Sequence, residues 1–249
     1  MSPGTHRGNE GVESILPLEL VDLTYIRAGL RLVDRISVRL EGKGRTLILG
    51  PNGAGKSLLL RLMHGLLSPT SGTVHWRGQA VSRVAERQAM VFERSVLLRR
   101  SVRANVDYAL SVRRISRACR RGRIDQVLER TGLLGLADRP ARLLSAGEQQ
   151  CLCLARAWSL EPEVLLLDEP TAALDPAATR SIEQVIDDMA SVGTKIIMTT
   201  HDLAQARRMG DEVLFLHRGA LVERTPATQF FDEPESSEAR AFLNGERLP

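Results

Sequence analysis

The stretch Thr46-Leu-Ile-Leu-Gly50-Pro-Asn-Gly-Ala-Gly-Lys-Ser57 decides the fold. Its first four residues are a short, largely apolar run that stops at Gly50, the pattern of a buried parallel strand entering a glycine-rich loop. From Ser57 to Leu67 apolar residues recur at helical spacing, until Ser68-Pro69-Thr70-Ser71-Gly72 breaks the pattern. Strand, loop and helix in direct succession open an α/β unit.

Gly50 to Ser57 also matches G-x-x-x-x-G-K-[ST]. Glycines at 50, 53 and 55 permit backbone angles that a Cβ forbids, so successive N–H groups can converge on phosphate oxygens. The helix that follows adds its positive end. Gly50, Pro51, Asn52, Gly53, Ala54, Gly55, Lys56 and Ser57 are therefore the candidate cradle for a nucleoside triphosphate. Lys56 is expected to reach the β- and γ-phosphates, and Ser57 to offer its hydroxyl oxygen to Mg²⁺.

Working outward, Leu18 to Leu23 and Leu32 to Leu40 alternate apolar and polar residues and read as strands near an edge. Further strands are expected at Thr73–Trp76, Ala89–Phe92, Val164–Asp168, Lys195–Thr199, Val213–Leu216 and Ala220–Glu223. Helices fit Pro176 to Ser191 and Asp202 to Met209. From Ser101 to Trp158 the pattern is helical and rich in Arg, a composition shift that marks a helical insert over about residues 94–160. The expectation is a mostly parallel α/β sheet with antiparallel N-terminal strands, and ligands at the carboxyl ends of the parallel strands.

Val164-Leu-Leu-Leu-Asp168-Glu169 ends a buried strand on two acids. Neighbours on a strand point to opposite faces, so the two cannot share one role. Asp168 can hold the Mg²⁺ shell beneath the phosphates, and Glu169 can polarise a water for attack on the γ-phosphorus. Acids that merely end a strand at the surface are the plainer alternative.

Composition sets limits. In 249 residues, 43% of them apolar, there is material for a sizeable core, and the longest apolar run is a few residues. Met1 to Ile15 is polar and Gly-rich with no stretch like a secretory signal, so residues 1–16 read as a mobile lead-in and the protein as soluble and intracellular. Cys119, Cys151 and Cys153 lack metal-ligand spacing and read as small buried fillers. The formal charge is +4, and Lys43, Lys56 and Lys195 are the only lysines. Ten Arg residues (94, 99, 100, 103, 113, 114, 117, 120, 121, 123) accompany one acid, Asp107, between Arg94 and Arg123. They form either a solvated helix face or a surface that meets something acidic.

A phosphate loop with an acid-ended strand suits many ATPases, GTPases and small-molecule kinases. Leu144-Ser-Ala-Gly-Glu148 decides between them: it resembles the signature motif of ATP-binding-cassette (ABC) ATPases. Ser145 and Glu148 also fit a capping box that opens a helix, whose exposed N–H groups make an anion site. Ala172-Ala-Leu-Asp175 resembles the family's D-loop, and Thr199-Thr-His201-Asp202 its switch histidine. The resemblance covers nearly all of residues 18–223. It implies a P-loop NTPase with a RecA-like core, and residues 17–249 as one domain.

The resemblance implies ATP with Mg²⁺, and two cassettes packed head to tail. Ser145 and Gly147 would then act on the γ-phosphate held by a second subunit, while Glu169 and His201 act on the ATP of their own. Three positions depart from the family pattern: Glu93 stands where the Q-loop has Gln, Ala146 replaces a Gly, and Cys151 stands where an Arg is common. Glu93 accepts but cannot donate, so it is expected to bind Mg²⁺ through oxygen while slowing hydrolysis or altering coupling. Tyr25 is either the aromatic that stacks on adenine or an ordinary strand residue. The family's spacing points nearer Arg27, unless Ile26 to Leu30 makes a slightly long turn.

By resemblance the chain is the ATPase subunit of a prokaryotic ABC importer. Val96 to Val102 with Asn105 to Leu110 is similar to the helical subdomain of tungstate, molybdate and phosphate importers. The partners implied are a second ATPase subunit, integral-membrane permease subunits and, indirectly, an extracytoplasmic solute-binding protein. The expected location is the cytoplasmic face of the inner membrane, without nucleic acid. A soluble ABC ATPase and a nucleotide-gated regulator with weak hydrolysis remain alternatives.

Overall fold

The computed structural model describes residues 13–94 and 96–246. Six strands form the main sheet: β3 (Arg45–Leu49), β6 (Gln88–Val91), β7 (Val164–Asp168), β8 (Lys195–Thr199), β9 (Glu212–His217) and β10 (Ala220–Pro226). They lie in the order β10-β9-β3-β8-β7-β6. All neighbours are parallel except the hairpin of β9 and β10. The apolar runs alternate between two cores. Leu165 and Leu167 of β7 face one cluster with Leu47, Leu49, Ile196 and Met198. Val164 and Leu166 face the other with Ile48, Ile197 and Leu214. A sheet buried on both faces needs such continuous apolar strands.

A second sheet covers one face. It contains β1 (Leu18–Arg27), β2 (Leu30–Leu40), β4 (Ser71–Trp76) and the short β5 (Gln79–Ala80), in the order β2-β1-β4-β5. The long turn considered for Ile26 to Leu30 is not formed. β1 runs to Arg27, which pairs with Leu30, and only Ala28 and Gly29 connect them. Both have positive φ (50° and 76°), the turn whose twist matches a hairpin.

The lead-in expected over residues 1–16 is corrected at its end; Met1 to residue 12 lie outside the described residues. Ile15 is fully buried in the second core, and its N–H donates to Glu163 Oε2 at 3.0 Å. Arg87 pairs with the same Glu163 and donates to the Glu13 carbonyl. An apolar side chain with a bonded backbone is fixed, not mobile.

Between β6 and β7 the chain is helical: α3 (Val102–Val112), α4 (Arg117–Arg130) and α5 (Ala146–Trp158). Among the described residues, four of the ten Arg residues of the cluster pair with acids, three of them with acids outside the counted segment. Arg103 pairs with Asp125, Arg113 with Glu86, Arg123 with Glu161, and Arg120 with Asp107. Arg100 lies over the Tyr108 ring. Arg94, Arg99, Arg114, Arg117 and Arg121 are exposed.

Helices α1 (Lys56–His64), α2 (Val81–Val84), α6 (Pro176–Ser191) and α7 (Leu203–Met209) connect the strands. After β10 come α8 (Ala227–Asp232) and α9 (Ser237–Leu243), which sequence periodicity does not announce. Glu223 anchors them: its buried carboxylate accepts from the N–H groups of Glu235 and Ser236 and from the Ser236 hydroxyl. Burial opposes that charge, but the hydrogen bonds outweigh it and hold the carboxyl below its ordinary pKa.

The cysteine expectation is corrected in part. Cys151 is buried, its thiol pushed up to about 11 by burial and then by Glu148, which suits an inert filler. Cys119 is exposed and Cys153 half-buried.

Candidate nucleotide site

The loop 50–55 leaves the carboxyl end of β3 and enters α1. Two of its glycines are required sterically. A Cβ on Gly50 would lie 2.1 Å from the Leu216 carbonyl oxygen, and one on Gly55 would lie 2.6 Å from that of Leu32. Both have φ in the left-handed half of the map (144° and 98°), a conformation that also disfavours side chains. The loop therefore nests against β2 and β9. A cavity of about 300 Å³ lies over it, lined by Leu32, Asn52 to Leu58 and Glu169.

Lys56 is buried, and its ammonium donates to the carbonyls of Gly50 (2.8 Å) and Pro51 (3.1 Å). Burial lowers its pKa against the raising fields of Glu169 and Asp168. A buried cation held only by two carbonyls and distant carboxylates retains attraction for an incoming polyanion.

β7 delivers the acids. Asp168 is 3% exposed, and its Oδ1 accepts from the hydroxyls of Ser57 (2.6 Å) and Thr199 (3.0 Å). The register of β7 with β8 places Asp168 opposite Thr199. Glu169 leaves the strand with φ 46°, a strained angle for a residue with a side chain. The turn is secured by its N–H, which donates to Thr199 Oγ1 at 2.9 Å. Its carboxylate reaches His201 Nδ1 at 2.6 Å. Glu169 thus borders the phosphate-loop cavity on one side and, on the other, a second cavity of about 190 Å³ with His201 and Ala172 to Leu174.

Ser145 caps α5 as a full capping box: its Oγ accepts from the Glu148 N–H (3.3 Å), and Glu148 Oε2 accepts from the Ser145 N–H (2.7 Å). Asp175 caps α6 and Asp202 caps α7. Neither Ser145 nor Gly147 lines the phosphate-loop cavity of its own chain, and Ser145 is exposed.

Gly147 has a structural task that the sequence does not announce. A Cβ there would lie 2.7 Å from Cβ of Ala178, so α5 and α6 meet at a contact that admits no side chain. Gly147→Ala is expected to cost about 1–3 kcal/mol through overpacking. Thermal unfolding of Gly147→Ala, and of the same variant carrying Ala178→Gly, checks this: the second change should recover most of the loss.

Neither Tyr25 nor Glu93 lines the cavity over the phosphate loop. Tyr25 is half-buried against the second core, and the β2 residue at the cavity is Leu32. Glu93 is exposed and lines a separate cavity with Gln149, Gln150 and Ala172 to Leu174. Gln150 ties the neighbouring loop to α5 by donating to the Phe92 carbonyl. Sequence reasoning missed the two-way role of Thr199 and the buried Gln205. The latter joins Thr171, Thr200 and Glu183 in one network.

Phosphate loop, acid-ended strand, capped signature helix and paired Glu169–His201 occur here around one mostly parallel sheet, and a family model described as ABC transporter matches residues 33–172. The chain belongs to the ABC transporter family. Its place there is that of an ATP-binding subunit, an ATPase coupled to transport. It is 38% identical over 235 residues to the phosphate import ATP-binding protein PstB 2 of Natronomonas pharaonis, covering 88% of this chain and 83% of that protein. It is 36% identical over 196 residues to the tungstate uptake system ATP-binding protein TupC of Peptoclostridium acidaminophilum, covering 78% and 92%. Among solved structures, CbiO1 of Clostridium perfringens, part of the ABC transporter complex CbiONQ, superposes with a TM-score of 0.81 at 29% identity, over 90% of this chain and 93% of that one. No helix among the described residues is long and apolar enough to cross a membrane.

Proposed function

We propose that this subunit hydrolyses ATP in a head-to-tail dimer to drive import of a small anionic solute such as phosphate, tungstate or molybdate. What supports the dimer is the exposed cap at Ser145, a helix start that does not line the cavity over its own phosphate loop. The solute class rests on the likeness to the phosphate and tungstate relatives. Integral-membrane permease subunits and a solute-binding protein complete the system, with this subunit bound peripherally at the cytoplasmic face.

Lys56 and the loop N–H groups hold the β- and γ-phosphates. Ser57 and Asp168 supply hard oxygen donors at one point, and one carboxylate beside substrate phosphates is a usual site for Mg²⁺. That cation would offset charge on the phosphate oxygens when bound. Glu169 orients and deprotonates the attacking water, with His201 fixing its carboxylate. Ser145 and Gly147 of a second subunit close over the γ-phosphate. Loss of that phosphate removes the bridge between subunits, which gives the two-state element that transport requires.

Glu93 tunes this cycle by placing negative charge beside the α5 and D-loop cavity. Glu93→Gln is expected to raise the basal ATPase rate by about twofold to fivefold, as removal of one nearby like charge implies. A Glu93→Gln protein with the wild-type basal rate and the wild-type stimulation by permease would contradict the role. The import reading itself is tested by reconstituting the subunit with its permease and binding protein in vesicles. ATPase stimulation by phosphate, tungstate or molybdate, and not by a metal cation or an amino acid, is the expected result.

A further inference from the structure

The two oxygens of Asp168 have different surroundings. Oδ1 takes both hydroxyls, of Ser57 and Thr199. Facing Oδ2 is the guanidinium of Arg61, with Nη2 at 3.7 Å. That separation is too long for a hydrogen bond, so the contact is electrostatic. Arg61 follows Ser57 by four residues on α1, which puts both on the face turned to β7. Its Nε is buried without a hydrogen-bond partner among the described residues. An orphan buried donor is unfavourable. The Arg61 side chain as a whole is 42% exposed, and its guanidinium faces the buried Asp168.

We propose that Arg61 is a positioning residue that sets how tightly Asp168 and Ser57 take up a divalent cation. Its charge draws Oδ2 toward α1 and so keeps Oδ1 turned to the two hydroxyls. The same charge partly offsets the carboxylate, which weakens capture of a free cation and reserves the site for one that arrives with a triphosphate. This role rests on the reading of Asp168 and Ser57 as the cation's ligands.

The test uses the full chain, a fluorescent ATP analogue and Mg²⁺. Analogue binding is first measured without Mg²⁺, which also shows that each variant is folded, and then as Mg²⁺ is titrated in. Arg61→Gln is expected to shift the Mg²⁺ midpoint to about threefold to tenfold lower concentration, the effect of removing one cation at this range in a partly screened site. Arg61→Lys keeps the charge and should stay near the wild-type midpoint. Arg61→Ala provides a second charge-free variant should the first fail to fold. Unchanged midpoints in the charge-free variants, even with a lower melting temperature, would show that Arg61 serves only packing and overturn the proposal. A wild-type protein whose analogue binding ignores Mg²⁺ would instead remove the cation site itself, and the role of Arg61 with it.

Discussion

Glu169→Gln should abolish most ATP hydrolysis while leaving ATP binding intact. The carboxylate is the one acid that borders the phosphate-loop cavity, and His201 holds it at 2.6 Å. An amide keeps the shape and accepts a hydrogen bond but cannot take a proton from water. A positioned general base contributes about 10²- to 10⁴-fold, so a fall of about 10²- to 10³-fold in turnover is expected. Steady-state phosphate release measures the first effect, and filter binding of ATP the second. Because the bridging nucleotide is no longer consumed, the variant should also accumulate as an ATP-bound dimer in size-exclusion chromatography. Turnover equal to wild type would favour a nucleotide-gated regulator over a working ATPase.

Lys56→Ala acts one step earlier. In the wild-type chain the ammonium is buried and holds the carbonyls of Gly50 and Pro51, so it both shapes the loop and supplies charge. Charge-assisted hydrogen bonds contribute about 1.5–3 kcal/mol, and their loss should weaken ATP binding by about 10- to 100-fold. Hydrolysis should fall below detection. The separation between the two variants is diagnostic: equilibrium binding drops for Lys56→Ala and holds for Glu169→Gln.

How much of this was legible in the sequence depends on whether a feature is local. The loop 50–57, the acid-ended strand and the Ser145 capping box are short segments whose residues carry their own geometry, and the structure forms each of them. Thr199 is different. Its hydroxyl serves both Asp168 and the Glu169 N–H because β7 and β8 are adjacent and in register, a relation spanning about thirty residues of chain. Part of the Arg cluster was illegible for the same reason: Glu86, Asp125 and Glu161 lie outside the counted segment but reach it in space. Gly147 looked like a ligand-contact glycine, and only the approach of α6 shows that it is also a packing glycine. Tyr25 hung on the length of one turn, and a two-residue hairpin places Leu32 at the cavity. Ile15 and the two C-terminal helices were not read because single anchors, Glu163 and Glu223, hold short segments with little periodicity.

In the proposed dimer each phosphate loop works only with the α5 cap of a second subunit. Mixing two inactive variants tests it directly. Lys56→Ala spoils a phosphate loop, and Ser145→Arg blocks an α5 cap. In a head-to-tail dimer that combines them, one site has both defects and the other is intact. Random pairing of equal amounts should therefore restore hydrolysis to about a quarter of the wild-type rate, well above either parent. A mixture no more active than the average of its two parents would contradict the composite site.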